Sequence, residues 1–138
     1  MQKVYIFSNV AYEKEKRLCV DRDDLLVFLN KAASISYYEG HPNRAVYHRF
    51  PEESYGTFRA DVPNFYVWGN HGRNQIDPAF IRDLRSKYDW NYPIEAGKRK
   101  DPTTGYIVTK YMEKLHPDKE IVLVNFGYSI TSTLLFGF

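Results

Sequence analysis

DPTTGYIVTKYMEKLHPDKEIVLVNFGY, residues 101–128, passes from a hydroxyl-rich segment through helical periodicity into a continuous apolar run, and that succession decides the fold. Asp101 is suited to accept the first free backbone N–H groups of a helix. Pro102 fits the first helical position, because its φ is preset and its missing N–H has no intrahelical partner. The helix is therefore expected to start at Pro102 or Thr103. Ile107, Val108, Tyr111, Met112 and Leu115 recur at spacings of one, three and four and share one helical face, with Lys110, Glu113 and Lys114 mostly off it. Pro117 pushes His116 out of helical geometry. Glu120 to Phe126 is nearly all apolar or β-forming, as in a strand covered on both sides. A helix feeding a buried strand is half of a βαβ unit.

Working outward, Lys3 to Phe7 reads as a short buried strand that ends in the turn formers Ser8 and Asn9, and Leu25 to Leu29 is a second apolar run ending at Asn30. Both strands thus finish in an Asn at the edge where open α/β sheets place their ligand crevice. The charge run EKEKR, within Ala11 to Leu18, is a solvated helix or loop. Ala45 to Phe50 and Phe65 to Trp68 are further short strands, and Asp77-Pro78 opens a helix with an apolar stripe at Phe80, Ile81, Leu84 and Tyr88. Strands interleaved with helices predict an α/β fold: a single Rossmann-like domain over residues 1–138, its mostly parallel sheet carrying helices on its faces. Lys3 to Phe7, Leu25 to Leu29 and Ile121 to Phe126 are expected to be parallel neighbours. The tail Ser129 to Phe138, SITSTLLFGF, breaks the pattern. It reads as an edge strand, as an apolar segment buried in a dimer through Leu134, Leu135, Phe136 and Phe138, or as the remnant of a longer chain.

The 138 residues suffice for one domain with a core. The 12 Tyr and 9 Phe argue against disorder, and serve either a small core with wet hydroxyls or the stacking of sugars or bases. A net charge of +2 is too mild to call for nucleic acid. The single cysteine, Cys19, rules out an internal disulfide and reads as a small buried side chain. No apolar run reaches the roughly 18 residues of a membrane span, and the N-terminus opens into a strand pattern instead of a signal peptide, so a cytoplasmic chain is expected.

Thr103, Thr104 and Gly105 present two hydroxyls and several N–H groups to an anion at the positive end of the helix dipole, or else simply cap the helix and permit close packing. Lys98, Arg99 and Lys100 add positive charge to that mouth or form a solvated loop. Asn9 and Asn30 hold a ribose or base edge, or bond their own turns. His41, His48, His71 and His116 have no metal-ligand spacing, so no metal is expected; His71, in a Gly-flanked loop, is best placed for chemistry. GxGxxG, GxxxxGK[ST] and GxSxG are absent.

VYIFSNV at 4–10 followed by DDLLVFLNKA at 23–32, and PTTG at 102–105 leading to NFGY at 125–128, resemble the two principal sialylmotifs of the sialyltransferase family. The resemblance implies that Asn9 and Asn30 fall on the two asparagines that hold the cytidine nucleotide, and that Thr103, Thr104 and Gly105 lie near the donor. Ser8 stands in place of the family's glycine, Phe28 in place of its arginine, and the bridging cysteine pair is missing. No His or Glu follows Tyr128 to supply the family's catalytic pair, so no catalytic residue carries over. The resemblance implies a glycosyltransferase-like protein of bacterial polysaccharide or lipooligosaccharide assembly, truncated or inactive. It would take a nucleotide sugar such as CMP-sialic acid and a saccharide acceptor, with no metal cofactor. The alternative is a non-catalytic α/β module that dimerises through its tail.

Overall fold

Val4 to Phe7, Leu26 to Leu29, Ala45 to His48 and Ile121 to Val124 are buried at every position, leaving no wet face, and runs of this kind pair in parallel under cover on both sides. In the computed structural model, which describes residues 2–51, 58–69, 74–87, 103–126 and the backbone of 134–136, they become β1 (Lys3–Phe7), β2 (Leu25–Leu29), β3 (Arg44–His48) and β5 (Glu120–Val124). Short strands β4 (Asn64–Tyr66) and β6 (Leu134–Phe136) complete a six-stranded sheet of order β4-β3-β2-β1-β5-β6, parallel throughout. β1, β2 and β5 are parallel neighbours, as expected, with β1 in the middle. Of the three readings of the tail, its described part takes the first: Leu134–Phe136 pairs with Val122–Val124 as an edge strand.

The α-helices α1 (Pro78–Lys87) and α2 (Thr104–Leu115) both fall between β4 and β5 in sequence and pack on one face of the sheet. There Ile81, Ile107, Val108 and Met112 meet Val4, Ile6, Val27, Leu29 and Leu123. On the opposite face the connections do the covering. Tyr12, Ala32, Ile35 and Tyr38 close over Phe7, Phe28, Val46 and Val124, with Phe7 and Phe28 stacked at 4.6 Å. Tyr12 and Tyr38 share a hydroxyl hydrogen bond of 2.8 Å, and burial pushes both phenols above their ordinary pKa.

Several local expectations shift. α1 begins at Pro78 with Asp77 Oδ1 accepting the N–H of Ala79 at 2.9 Å, as Asp-Pro chemistry predicts. α2 is instead capped by Thr103, whose backbone is extended and whose Oγ1 accepts the N–H of Tyr106 at 3.1 Å, so the helix starts at Thr104; Asp101 and Pro102 lie outside the described residues. The EKEKR run forms one 3-10 turn, Lys14–Lys16, with no buried residue. Leu115 is exposed, since it falls in the last turn beyond the sheet. Cys19 is also exposed and not buried: in the segment ahead of β2 the core-facing side chains are its neighbours, Leu18 and Val20. Among the described residues, no helix is long and apolar enough to cross a membrane.

Candidate functional site

Sheet order fixes where a ligand can go. From β1 the chain runs outward through β2, β3 and β4, then returns to β5 on the other side of β1, so the direction of winding reverses between β1 and β5. The connections leaving those strands diverge and open a crevice at their C-terminal ends. A cavity of about 320 Å³ lies there, lined by Ser8, Asn9 and Val10 after β1, Leu29 and Asn30 at the end of β2, and Arg49 after β3. Asn125 and Phe126 after β5, and Thr103, Thr104 and Gly105 at the entrance of α2, complete it. All five residues singled out from the sequence, Asn9, Asn30, Thr103, Thr104 and Gly105, border this one cavity.

Asparagine side chains lace the rim. Asn125 Nδ2 donates to the carbonyl of Val10 at 3.0 Å, Asn9 Oδ1 accepts the N–H of Lys31 at 2.8 Å, and Asn30 Oδ1 accepts the N–H of Arg49 at 2.9 Å. Each Asn follows one strand and bonds the backbone that follows the next, in the spatial order β5, β1, β2, β3. Asn30 and Asn125 sit at φ 47° and 62°, the left-handed region that Asn tolerates better than most residues. Neither oxygen bonds its own turn, as one sequence reading expects: each holds the turn after the neighbouring strand, and among the described residues no group accepts from either Nδ2.

The helix entrance is brought in by Gly105. A Cβ at this position would stand 2.7 Å from Phe126 Cε2, so only glycine lets α2 rest against the tip of β5 at this distance. Because Thr103 Oγ1 caps the Tyr106 N–H, the N–H groups of Thr104 and Gly105 have no acceptor among the described residues. Arg49 Nη1 donates to Thr104 Oγ1 at 3.3 Å. The lining therefore combines a guanidinium, amide and hydroxyl groups and a helix N-terminus, with no carboxylate and no histidine among its described members. This arrangement has the chemistry to suit an anion. Its described members include no side chain suited to act as a general base near neutral pH.

His48, one residue before Arg49, is fully buried and faces Asn64 instead of the crevice, with Nε2 at 2.9 Å from Asn64 Oδ1. Asn64 Nδ2 donates to the carbonyls of Arg59 and Val62, so its Oδ1 is an acceptor and His48 must carry its proton on Nε2. Burial lowers the pKa of this imidazole. His41 braces a turn at the opposite edge of the sheet, through Asp21 and Asn43, and His116 ends α2. His71, Lys98, Arg99 and Lys100 lie outside the described residues. Asp21, Asp23 and Asp24 bring carboxylate oxygens within 4.8 Å of one another ahead of β2. Both oxygens of Asp24 are occupied there, accepting the N–H groups of Lys3 and Asp21 at 2.8 Å.

Sequence reasoning missed Arg49 and Asn125. The pattern AVYHRF puts Arg49 inside a strand running to Phe50, whereas β3 stops at His48 and leaves Arg49 on the rim. Asn125 falls inside the expected last strand in the same way, although it closes an apolar run as Asn30 does. No protein-family profile, characterised protein or solved structure matches this chain.

Proposed function

We propose that the chain is a nucleotide-sugar-binding protein of the glycosyltransferase type, related to the sialyltransferases, that holds a donor such as CMP-sialic acid in the crevice between β1 and β5. The observation that carries this reading is convergence. Asn9, Asn30 and Thr103 to Gly105 come from two sequence segments more than 70 residues apart, and they border one cavity at the point where winding reverses. Free N–H groups at the α2 entrance and the nearby guanidinium suit the phosphate of an activated sugar. A cytoplasmic setting and a role in polysaccharide or lipooligosaccharide assembly with a saccharide acceptor complete the reading. With no base in the described lining, this chain binds donor and does not transfer it.

Calorimetric titration with cytidine nucleotides tests the proposal. CMP is expected to bind at the crevice, and Thr104→Ala is expected to weaken binding by about 1 kcal/mol, the usual net worth of one hydrogen bond. Absence of CMP binding would refute donor binding, and robust sugar transfer by this chain would refute the inactivity.

A second reading, self-association, draws on β6. Among the described residues Leu134–Phe136 pairs with β5 alone and ends the sheet, and an unpaired strand edge is a template for a second copy across a two-fold axis. Deleting residues 129–138 and measuring mass by light scattering checks it: a wild-type monomer, or a deletion variant that still dimerises, excludes this role.

A further inference from the structure

Arg49 is the one ionisable side chain among the described residues lining the crevice, and it lies outside both segments that resemble the sialylmotifs. Its position is built. Its backbone N–H is held by Asn30 Oδ1, its Nη1 reaches Thr104 Oγ1 across 55 residues of sequence, and its guanidinium carbon lies 5.6 Å from the centroid of the Phe50 ring. These contacts hold a permanent cation against the entrance of α2, where the N–H groups of Thr104 and Gly105 lack acceptors among the described residues.

We infer that Arg49 is the charge-selecting residue of the crevice, pairing with a phosphoryl group of the ligand seated beside Thr104 and Gly105. The inference rests on the crevice being the ligand site of the preceding section. The hydrogen bond from Arg49 to the neutral Thr104 hydroxyl is long, at 3.3 Å. A phosphoryl oxygen in its place gains a charge-assisted bond of about 2.7 to 2.9 Å, and the hydroxyl is then able to donate to the same group. Geometry favours phosphoryl over carboxylate. A phosphomonoester presents three terminal oxygens in a tetrahedral array, able to meet the two helix N–H groups and a guanidinium N–H from different directions, whereas the two oxygens of a carboxylate lie in one plane. Lysine at this position would keep the charge and lose the fork.

The experiment follows backbone amide resonances of the full chain during titration with inorganic phosphate, CMP and cytidine, for wild type, Arg49→Gln, Arg49→Lys and Asn30→Asp. Phosphate and CMP are expected to shift Thr104 and Gly105, and cytidine to leave them in place. Arg49→Gln should weaken CMP by at least about tenfold, the scale of one charge-assisted bond, with Arg49→Lys intermediate. Asn30→Asp guards against misfolding as an explanation. It keeps the acceptor for the Arg49 N–H while replacing a donor with a negative charge, so CMP should weaken at unchanged urea midpoint. If cytidine binds as well as CMP while phosphate is silent, or if the Arg49 and Asn30 variants bind CMP like wild type, the phosphoryl seat is overturned and nucleoside binding survives. If phosphate shifts Thr104 and Gly105 in an Arg49-dependent way but CMP binds no tighter than phosphate, the inference holds and the nucleotide reading falls. Silence from all three ligands overturns both.

Discussion

Asn30 Oδ1 accepts the backbone N–H of Arg49 at 2.9 Å, so the residue that ends one strand positions the cation that follows the next. Asn30 does this from φ 47°, where a residue with a Cβ and no local hydrogen bond is strained. Asn30→Ala is expected to lose about 2 to 4 kcal/mol, combining an unpaired, partly buried N–H with left-handed strain. Asn30→Gly should lose less, because it relieves the strain alone, and Asn30→Asp should stay close to wild type. Urea midpoints in that order support the account; an Ala variant as stable as Asp would contradict it.

The same bond shows how far the sequence was legible. Apolar runs such as Val4 to Phe7 and Ile121 to Val124 announce buried parallel strands, because both of their faces must be covered, and Asn at a strand end announces the rim. What periodicity does not carry is where β3 stops. Arg49 follows His48 without any turn residue, so only the three-dimensional pairing with β4 leaves it on the rim. The exposure of Cys19 escapes the sequence for a related reason, since burial in an irregular segment depends on which neighbours reach the core.

The side chain of Thr103 caps α2, where the sequence points to Asp101, which lies outside the described residues. Thr103→Ala should cost about 1 kcal/mol, the typical value of an N-cap, and Asp101→Ala should change stability by less than about 0.5 kcal/mol. Comparing the two variants by urea denaturation decides between the capping expected from the Asp-Pro pair and the capping in the structure. Equal losses would mean that both side chains share the task.

His48 makes stability depend on pH. Burial lowers the pKa of its imidazole in the folded chain, whereas the unfolded chain takes up the proton near the ordinary value of about 6.5. Between those two values the unfolded state binds more protons, so the stability present above about pH 6.5 is lost as pH falls toward the folded pKa. Among the described residues its Nδ1 has no hydrogen-bond partner to receive the added proton's charge. Urea midpoints measured from pH 8 to pH 5 should fall for wild type, and fall less for His48→Gln. Parallel curves for the two proteins would show that other groups carry the effect.

Gly105 and Phe126 are joined by a distance that admits no methyl group: an added Cβ would meet Phe126 Cε2 at 2.7 Å and Leu29 Cδ1 at 3.5 Å. Phe126 is buried against the same core, so its ring has little room to retreat. Gly105→Ala is expected to cost about 1 to 3 kcal/mol through overpacking, outweighing the better helix propensity of alanine. Phe126→Leu removes the ring edge, and the double variant should recover part of the loss, giving a favourable coupling of at least about 0.5 kcal/mol in a double-mutant cycle. Binding should follow the same geometry. If the added methyl moves the α2 entrance away from the strand tips, Thr104 leaves Arg49, and CMP affinity falls in Gly105→Ala and partly returns in the double variant. Additive stabilities together with unchanged affinity would show that the glycine contributes neither the packing nor the position of the helix entrance.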